Sequence, residues 1–415
     1  MARNTILIVG GGTAGWLAAT VLHKNYDVHL VESPNIPTIG VGESTTETVM
    51  DALRKAGVDL NDFMSYCNAT PKYGVMFAGW SERDYFHAFG ENFLEHQYGP
   101  KECEEFLTKC YKSGRDITSL IPYTAMAEKG IYSKLDSDDE FYNDVALHWQ
   151  ANTVPEYLKK FLDGKITHTY DTIQNVNAHW TGITGIKGED NYYIADYYVD
   201  CTGGARLLSK KLGIKWNSWK HESSLDTVLT WSGPAIKDRF FTTAEAWDHG
   251  WNWQIPLNNK MQYGYVHSSR HCTKDEALLE IKKRCGDNIQ IVNELVFEAG
   301  VLEKVAYKNM ISIGMSGHFL EPLEATNIEM SVIMAQELDK AINEKSLDAF
   351  YNLNERCLRM IDEVKKFVIF HYYLPNKEGQ FWKDMMSEFT EDDIIDRKQI
   401  YPWHIFNWYS VAQGI

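Results

Sequence analysis

The chain has 415 residues, 44% of them hydrophobic and 24% charged, enough for a large core divided into two or three sub-domains. A formal net charge of −16 argues against nucleic acid or an anionic membrane as partner, since both recruit basic patches. Seven scattered cysteines, an odd number without a CxxC pair, argue against a disulfide framework and place the chain in a reducing, cytoplasmic compartment. The opening MARNTILIVGGG lacks a secretory layout, and no run approaches the ~18 apolar residues of a membrane helix.

The first element is a short buried strand, Ile6 to Val9, followed at once by Gly10-x-Gly12-x-x-Gly15. A helix over 14–23 and a second strand over 27–31 come next, ending in Glu32. Gly10 permits the tight turn, Gly12 lets a pyrophosphate approach the backbone, and Gly15 lets helix and strand pack closely. The helix N-terminus offers N–H donors to phosphate, and Glu32 stands where a ribose hydroxyl is gripped. This frame predicts a dinucleotide site without choosing between NAD and FAD. The fingerprint occurs once, which points to one bound dinucleotide and electrons brought from outside.

After a loop at Gly40 and Gly42, Glu43-Ser44-Thr45 reads as a helix start with Ser or Thr as cap. Residues 70–80 read as one strand with Lys72, Gly74, Met76, Ala78 and Trp80 on one face. Lys72 is either a solvated charge at a strand's start or a reagent in a cavity, and the strand alone does not choose. In YFHAFG (85–90), His87 and Phe89 share a face if the chain is extended. The acidic run 136–144 reads as a loop; 166–204 reads as strands and turns. A β-rich stretch over 225–268 contains GWNWQIPL, in which Trp251 and Trp253 alternate on one face, as core filling or as a ligand wall. Residues 309–342 repeat a strand, glycine loop and helix, and the chain from about 346 is mostly helical. No internal repeat is present, and interleaved elements imply discontinuous domains.

The strings GGGTAGW (10–16), GVGES (40–44), PKYG (71–74), YFHAFG (85–90), DCTG (200–203), GWNWQIP (250–256) and HFLEPLEAT (318–326) occur together in this order. With them the sequence resembles the flavin-dependent halogenases of the tryptophan-halogenase type. The resemblance implies an α/β (α+β) protein: a Rossmann-like FAD-binding fold of the flavin monooxygenase type, with an inserted β-sheet substrate region and a helical C-terminal part. The FAD module would span 1–345, interrupted at about 65–135 and 215–295, with 346–415 completing a short substrate lid. FADH2, O2 and halide would yield hypohalous acid, which reaches Lys72 and halogenates an electron-rich aromatic. Lys72 would hold the halogen as a haloamine or by hydrogen bonding, and Glu324 would stabilise the cationic intermediate and accept its proton. FAD would be held by Gly10, Gly12, Thr13, Ala14, Gly15, Trp16, Glu32, Glu43, Ser44 and Ile328. Halide would sit at Thr326 and Asn327, beside a helix N-terminus. Trp251, Trp253, Ile255 and Pro256 would shield the flavin, and His87 and Phe89 would sandwich the substrate ring.

No metal is expected. The partners implied are a separate flavin reductase and a small aromatic substrate, with homo-oligomerisation open. Three departures from the family pattern stand out: Ala325 for Ser, Asn327 for Gly, and Met315 where many flavoproteins carry Asp. They leave the halide open among chloride, bromide and iodide, and remove one FAD contact. A length of 415 residues is short for the family and points to a reduced C-terminal lid, hence indoles or phenols rather than free tryptophan. Trp403, Trp408 and Tyr409 are candidate lining residues. The alternatives are an FAD-dependent aromatic hydroxylase and a non-catalytic FAD-binding protein.

Overall fold

Ile6 and Ile8 point to one side of their strand and Leu7 and Val9 to the other, and all four are buried in two different core clusters. Burial on both faces is what a central parallel strand requires. In the computed structural model, which describes residues 3–37, 40–131, 145–344, 346–374, 376–386 and 404–415, Thr5–Val9 accordingly lies inside a six-stranded sheet. The spatial order is Ala306–Tyr307, Met310–Ser312, Tyr197–Asp200, Thr5–Val9, Asp27–Glu32, Thr167–Tyr170, parallel except for the hairpin at the first edge. The helix Thr13–Leu22 follows the glycine turn and packs on the helix Thr326–Glu344.

A second, seven-stranded sheet runs Asn293–Val296, Thr227–Gly233, Met261–His267, Gly250–Pro256, Thr242–Trp247, Gly74–Ala78, Tyr85–Ala88. One face carries Leu229, Trp231, Trp247 and Tyr265 against the helix Lys274–Cys285, whose N-terminus is closed by a Thr273–Glu276 capping box. The other face turns Val228, Ala244, Trp251 and Trp253 into the main core. A small three-stranded sheet, Gly42–Ser44, Ala146–Gln150, Thr70–Lys72, is interleaved with the two larger ones in sequence and carries Glu43 and Lys72.

Two expectations are corrected here. Residues 70–80 are not one strand: Thr70–Lys72 belongs to the three-stranded sheet and Gly74–Ala78 to the seven-stranded one. The switch falls at Tyr73, whose amide bonds Phe240 O instead of continuing either ladder. Lys72 therefore does not share a face with Met76 and Ala78. Likewise Gly42–Ser44 is a strand, and the helix starts only at Glu47 with Thr46 at its N-cap. The polar GES triplet reads as a helix start, but its partner strand, Ala146–Gln150, is a hundred residues distant and claims it.

The helix Ala349–Phe370 packs beside Thr326–Glu344, and Ile405–Gly414 closes over the strand Tyr85–Ala88. The acidic run 136–144 and Trp403 lie outside the described residues. Among the described residues, no helix is long and apolar enough to cross a membrane.

Candidate active site

The glycine turn is tightly enclosed. Gly10 has φ +113°, and a Cβ there would lie 2.2 Å from Cys201 O; one on Gly15 would lie 1.9 Å from Gly10 O. Gly11, which the fingerprint leaves unspecified, is also enclosed, because the Glu32 side chain lies where its Cβ would be. Only Gly12 opens onto free space, so a phosphate can meet bare backbone there. Glu32 is held by His168, whose Nε2 lies 2.8 Å from Oε1. Thr13 and Trp149 donate to Glu43 Oε2 at 3.1 and 2.7 Å, bracing the turn against the three-stranded sheet. Burial pushes the Glu43 carboxyl up. Trp16 is buried and packs against His168.

A cavity of about 410 Å3 lies beside Glu43, the residue that Thr13 of this turn bonds. Gly42, Glu43 and Ser44 form one wall, Trp251, Trp253 and Ile255 another, and Thr326, Asn327 and Ile328 present the opening turn of a 19-residue helix. An apolar wall beside a phosphate-accepting turn fits a flat ring system carried on a dinucleotide, which is the chemistry of FAD. Met315 also lines the cavity. Pro256 does not; its carbonyl accepts from Thr70 Oγ1 at 2.6 Å and so ties the Trp-bearing strand to the Lys72 strand.

Lys72 and Glu324 both line this cavity, and both are buried. Lys72 Nζ donates to Thr45 O at 3.0 Å and stands 4.3 Å from the Phe89 ring centroid. Burial pulls its pKa down to about 8, against the upward influence of the Glu324, Glu329 and Glu47 carboxylates. Next to it, His148 is kept neutral by burial and by the Lys72 and Arg239 charges. Thr70 Oγ1 donates to Pro256 O, so it accepts from His148 Nδ1–H, leaving Nε2 to accept from Thr242.

Glu324 occupies a left-handed backbone position, φ +61°, as does Ala325 at +60°. This double reversal puts the carboxylate into the cavity just before the helix begins. Its Oε1 lies 2.8 Å from His87 Nδ1 and 3.1 Å from His371 Nε2. Burial alone would raise this carboxyl; the charge and hydrogen bonds of His87 and His371 overcome it and hold the group well below the usual carboxylate range. Glu324 Oε2 is buried with no hydrogen-bond partner. The three side chains are also the one trio among the described residues whose donor atoms cluster as metal ligands do.

His87 lies outside the cavity that holds Lys72 and Glu324. Its ring is fully enclosed between Glu324 and Asn407 Oδ1, 2.9 Å from Nε2, and does not line the cavity. Phe89 faces Lys72 rather than the cavity. Trp408 packs on Phe367 and Phe370, and Tyr409 stacks on Tyr111; neither lines the cavity. Sequence reasoning missed His371, Thr45, His148 and Glu321. His371 stands in FVIFHYY, whose aromatic run hides it. Glu321 lines the cavity as a carboxyl pushed up to about 8 by burial, with Tyr372 Oη donating at 2.8 Å.

A glycine turn open at Gly12, an apolar cavity, and a buried lysine and glutamate lining it fit a flavoenzyme. Flavin-dependent halogenases have this architecture: that from Xanthomonas campestris, Xcc4156, superposes with a TM-score of 0.86 at 25% identity, covering 100% of this chain and 89% of its own. The chain belongs to the tryptophan halogenase family, whose model matches residues 5–401. Tryptophan 7-halogenase RebH of Lentzea aerocolonigenes is 30% identical over 444 residues, covering 96% of this chain and 82% of that protein. Sulochrin halogenase gedL of Aspergillus terreus is 22% identical, covering 80% and 61%.

Proposed function

We propose that the protein is a two-component halogenase that takes FADH2 from a separate reductase and halogenates an electron-rich indole or phenol. The observation that carries this reading is the burial of Lys72 and Glu324 in one cavity walled by Trp251, Trp253 and Ile255. FAD, when bound as FADH2, supplies with O2 the two-electron oxidation of halide to hypohalous acid. The backbone at Thr326 and Asn327, at a helix N-terminus, suits the halide. Gly10, Gly12, Thr13, Ala14, Gly15, Glu32, Glu43, Ser44 and Ile328 hold the cofactor. Trp251, Trp253 and Ile255 exclude organic substrate from it, which suppresses hydroxylation.

Lys72 holds the hypohalous acid within the cavity, donating to its oxygen as ammonium or taking the halogen as amine. A pKa near 8 keeps both forms accessible at neutral pH. The halogen bonds to the aromatic carbon, the O–X bond breaks, and the carbon's proton leaves to Glu324 Oε2; the balance is ArH + HOX giving ArX + H2O. The cationic intermediate is a far stronger acid than any carboxylic acid, so a carboxylate of depressed basicity still accepts its proton. Its fixed negative charge also stabilises the cation as it forms.

The experiment supplies FADH2 through a generic reductase, with O2, each halide in turn, and a panel of indoles and phenols that includes free tryptophan. Halogenated product in mass spectra is expected. Its absence for every halide overturns the reading, and oxygenated product with bleaching of bound FAD by NADPH alone replaces it with a hydroxylase.

A further inference from the structure

His371 follows the last residue of the 22-residue helix Ala349–Phe370, sandwiched between Phe77 and Phe367, each with its ring centroid 4.9 Å away. Its Nδ1 lies 2.9 Å from Phe367 O. A backbone carbonyl only accepts, so Nδ1 carries a hydrogen. The remaining nitrogen, Nε2, faces Glu324 Oε1 at 3.1 Å. That contact is a hydrogen bond only if a further proton lies between them. The pair thus holds a shared proton on the Oε1 side of the carboxylate. His87 approaches the same oxygen at 2.8 Å, and the Phe367 ring lies against both imidazoles. Oε2, on the same carboxylate, has no partner.

We propose that His371, assisted by His87, is a positioning residue that occupies Glu324 Oε1 and so leaves Oε2 as the carboxylate's reactive oxygen toward the substrate proton. This rests on the role given to Glu324 above. The arrangement needs external anchoring because Glu324 sits on two consecutive left-handed residues, Glu324 and Ala325, with no regular ladder to fix its direction. A carboxylate free to rotate would trade its two oxygens and lose the fixed approach that transfer requires. The anchor comes from the end of the helix Ala349–Phe370, so that helix takes part in aiming the base.

The test uses the two amides that mimic one imidazole nitrogen each, in the full chain with FADH2 supplied. His371→Asn keeps the donor to Phe367 O and cannot reach Glu324. His371→Gln keeps the donor to Glu324 and gives up the carbonyl. We expect His371→Asn to lower kcat for halogenation about 100-fold with substrate KM unchanged, and His371→Gln to stay within about threefold of wild type. Release of hypohalous acid to a freely diffusing enolic scavenger should be unchanged in both, since only the transfer step is affected. Equal rates for the two variants, or scavenger halogenation falling in parallel with product, would overturn the proposal. Glu324→Gln separates the two readings: if it halogenates normally, the role of Glu324 fails, whereas if it is inactive while His371→Asn is normal, only the positioning role fails.

Discussion

At the scale of residues, Lys72 is a buried ammonium whose protonated form burial disfavours. Its ammonium has one backbone acceptor, Thr45 O, and a face of Phe89, in place of water. The folded pKa of about 8 lies below the ordinary value of about 10.4. Between these values the unfolded chain holds the proton and the native chain releases it. Stability from this group therefore rises with pH across that window, and the destabilisation is full below pH 8. Lys72→Met should stabilise the protein by up to about 3 kcal/mol at pH 7 and flatten that rise, while abolishing halogenation with FAD still bound. Denaturant titrations at pH 7 and pH 10 check the first two outcomes; an unchanged midpoint at pH 7 would mean that Lys72 is not desolvated. Ala325 offers the opposite case. At φ +60° its Cβ is strained, and Ala325→Gly should stabilise by about 1 kcal/mol, read as a higher Tm.

At the scale of elements, the sequence was most legible where contacts are local. The strand from Ile6, the glycine turn and the helix ending at Leu22 all follow from apolar burial and backbone permission within twenty residues. The GWNWQIP strand was legible for the same reason, through its alternation. Legibility failed where a distant strand decides the outcome. Ala146–Gln150 captures both Gly42–Ser44 and Thr70–Lys72, and no local pattern in either announces it. The site followed the same division. Lys72 and Glu324 came from a resemblance of short strings, whereas the histidines around Glu324 come from positions 87 and 371, joined only in the folded chain. Gly11 marks the limit of a fingerprint that names three glycines and passes over a fourth. Gly11→Ala should displace the Glu32 carboxylate and weaken FAD binding at least tenfold, measured by flavin fluorescence, with secondary structure intact.

At the scale of the whole molecule, both ends of the chain meet around the site. The N-terminal half provides the glycine turn and Lys72, residues 324–328 close the cavity, and the helix Ile405–Gly414 lies over the strand that carries His87. That helix approaches closely: a Cβ on Gly414 would lie 2.2 Å from Tyr85 Cγ. Gly414→Ala should push the helix away, costing about 1–3 kcal/mol, and limited proteolysis should cut first near the C-terminus. Cleavage no faster than in wild type would show that the closure is not set by this contact.

The three-stranded sheet joins Glu43 and Lys72 through a single intervening strand, Ala146–Gln150. Under the proposed function, the place where the oxidant is made and the place where it is caught are thus spaced by a hydrogen-bonded ladder. None of that ladder comes from the C-terminal helices that cover the other side. Under the proposed function, catalyst design can exploit this separation: altering the helical cover while keeping His371 would change which aromatic is presented, while the path of the halogen keeps its length.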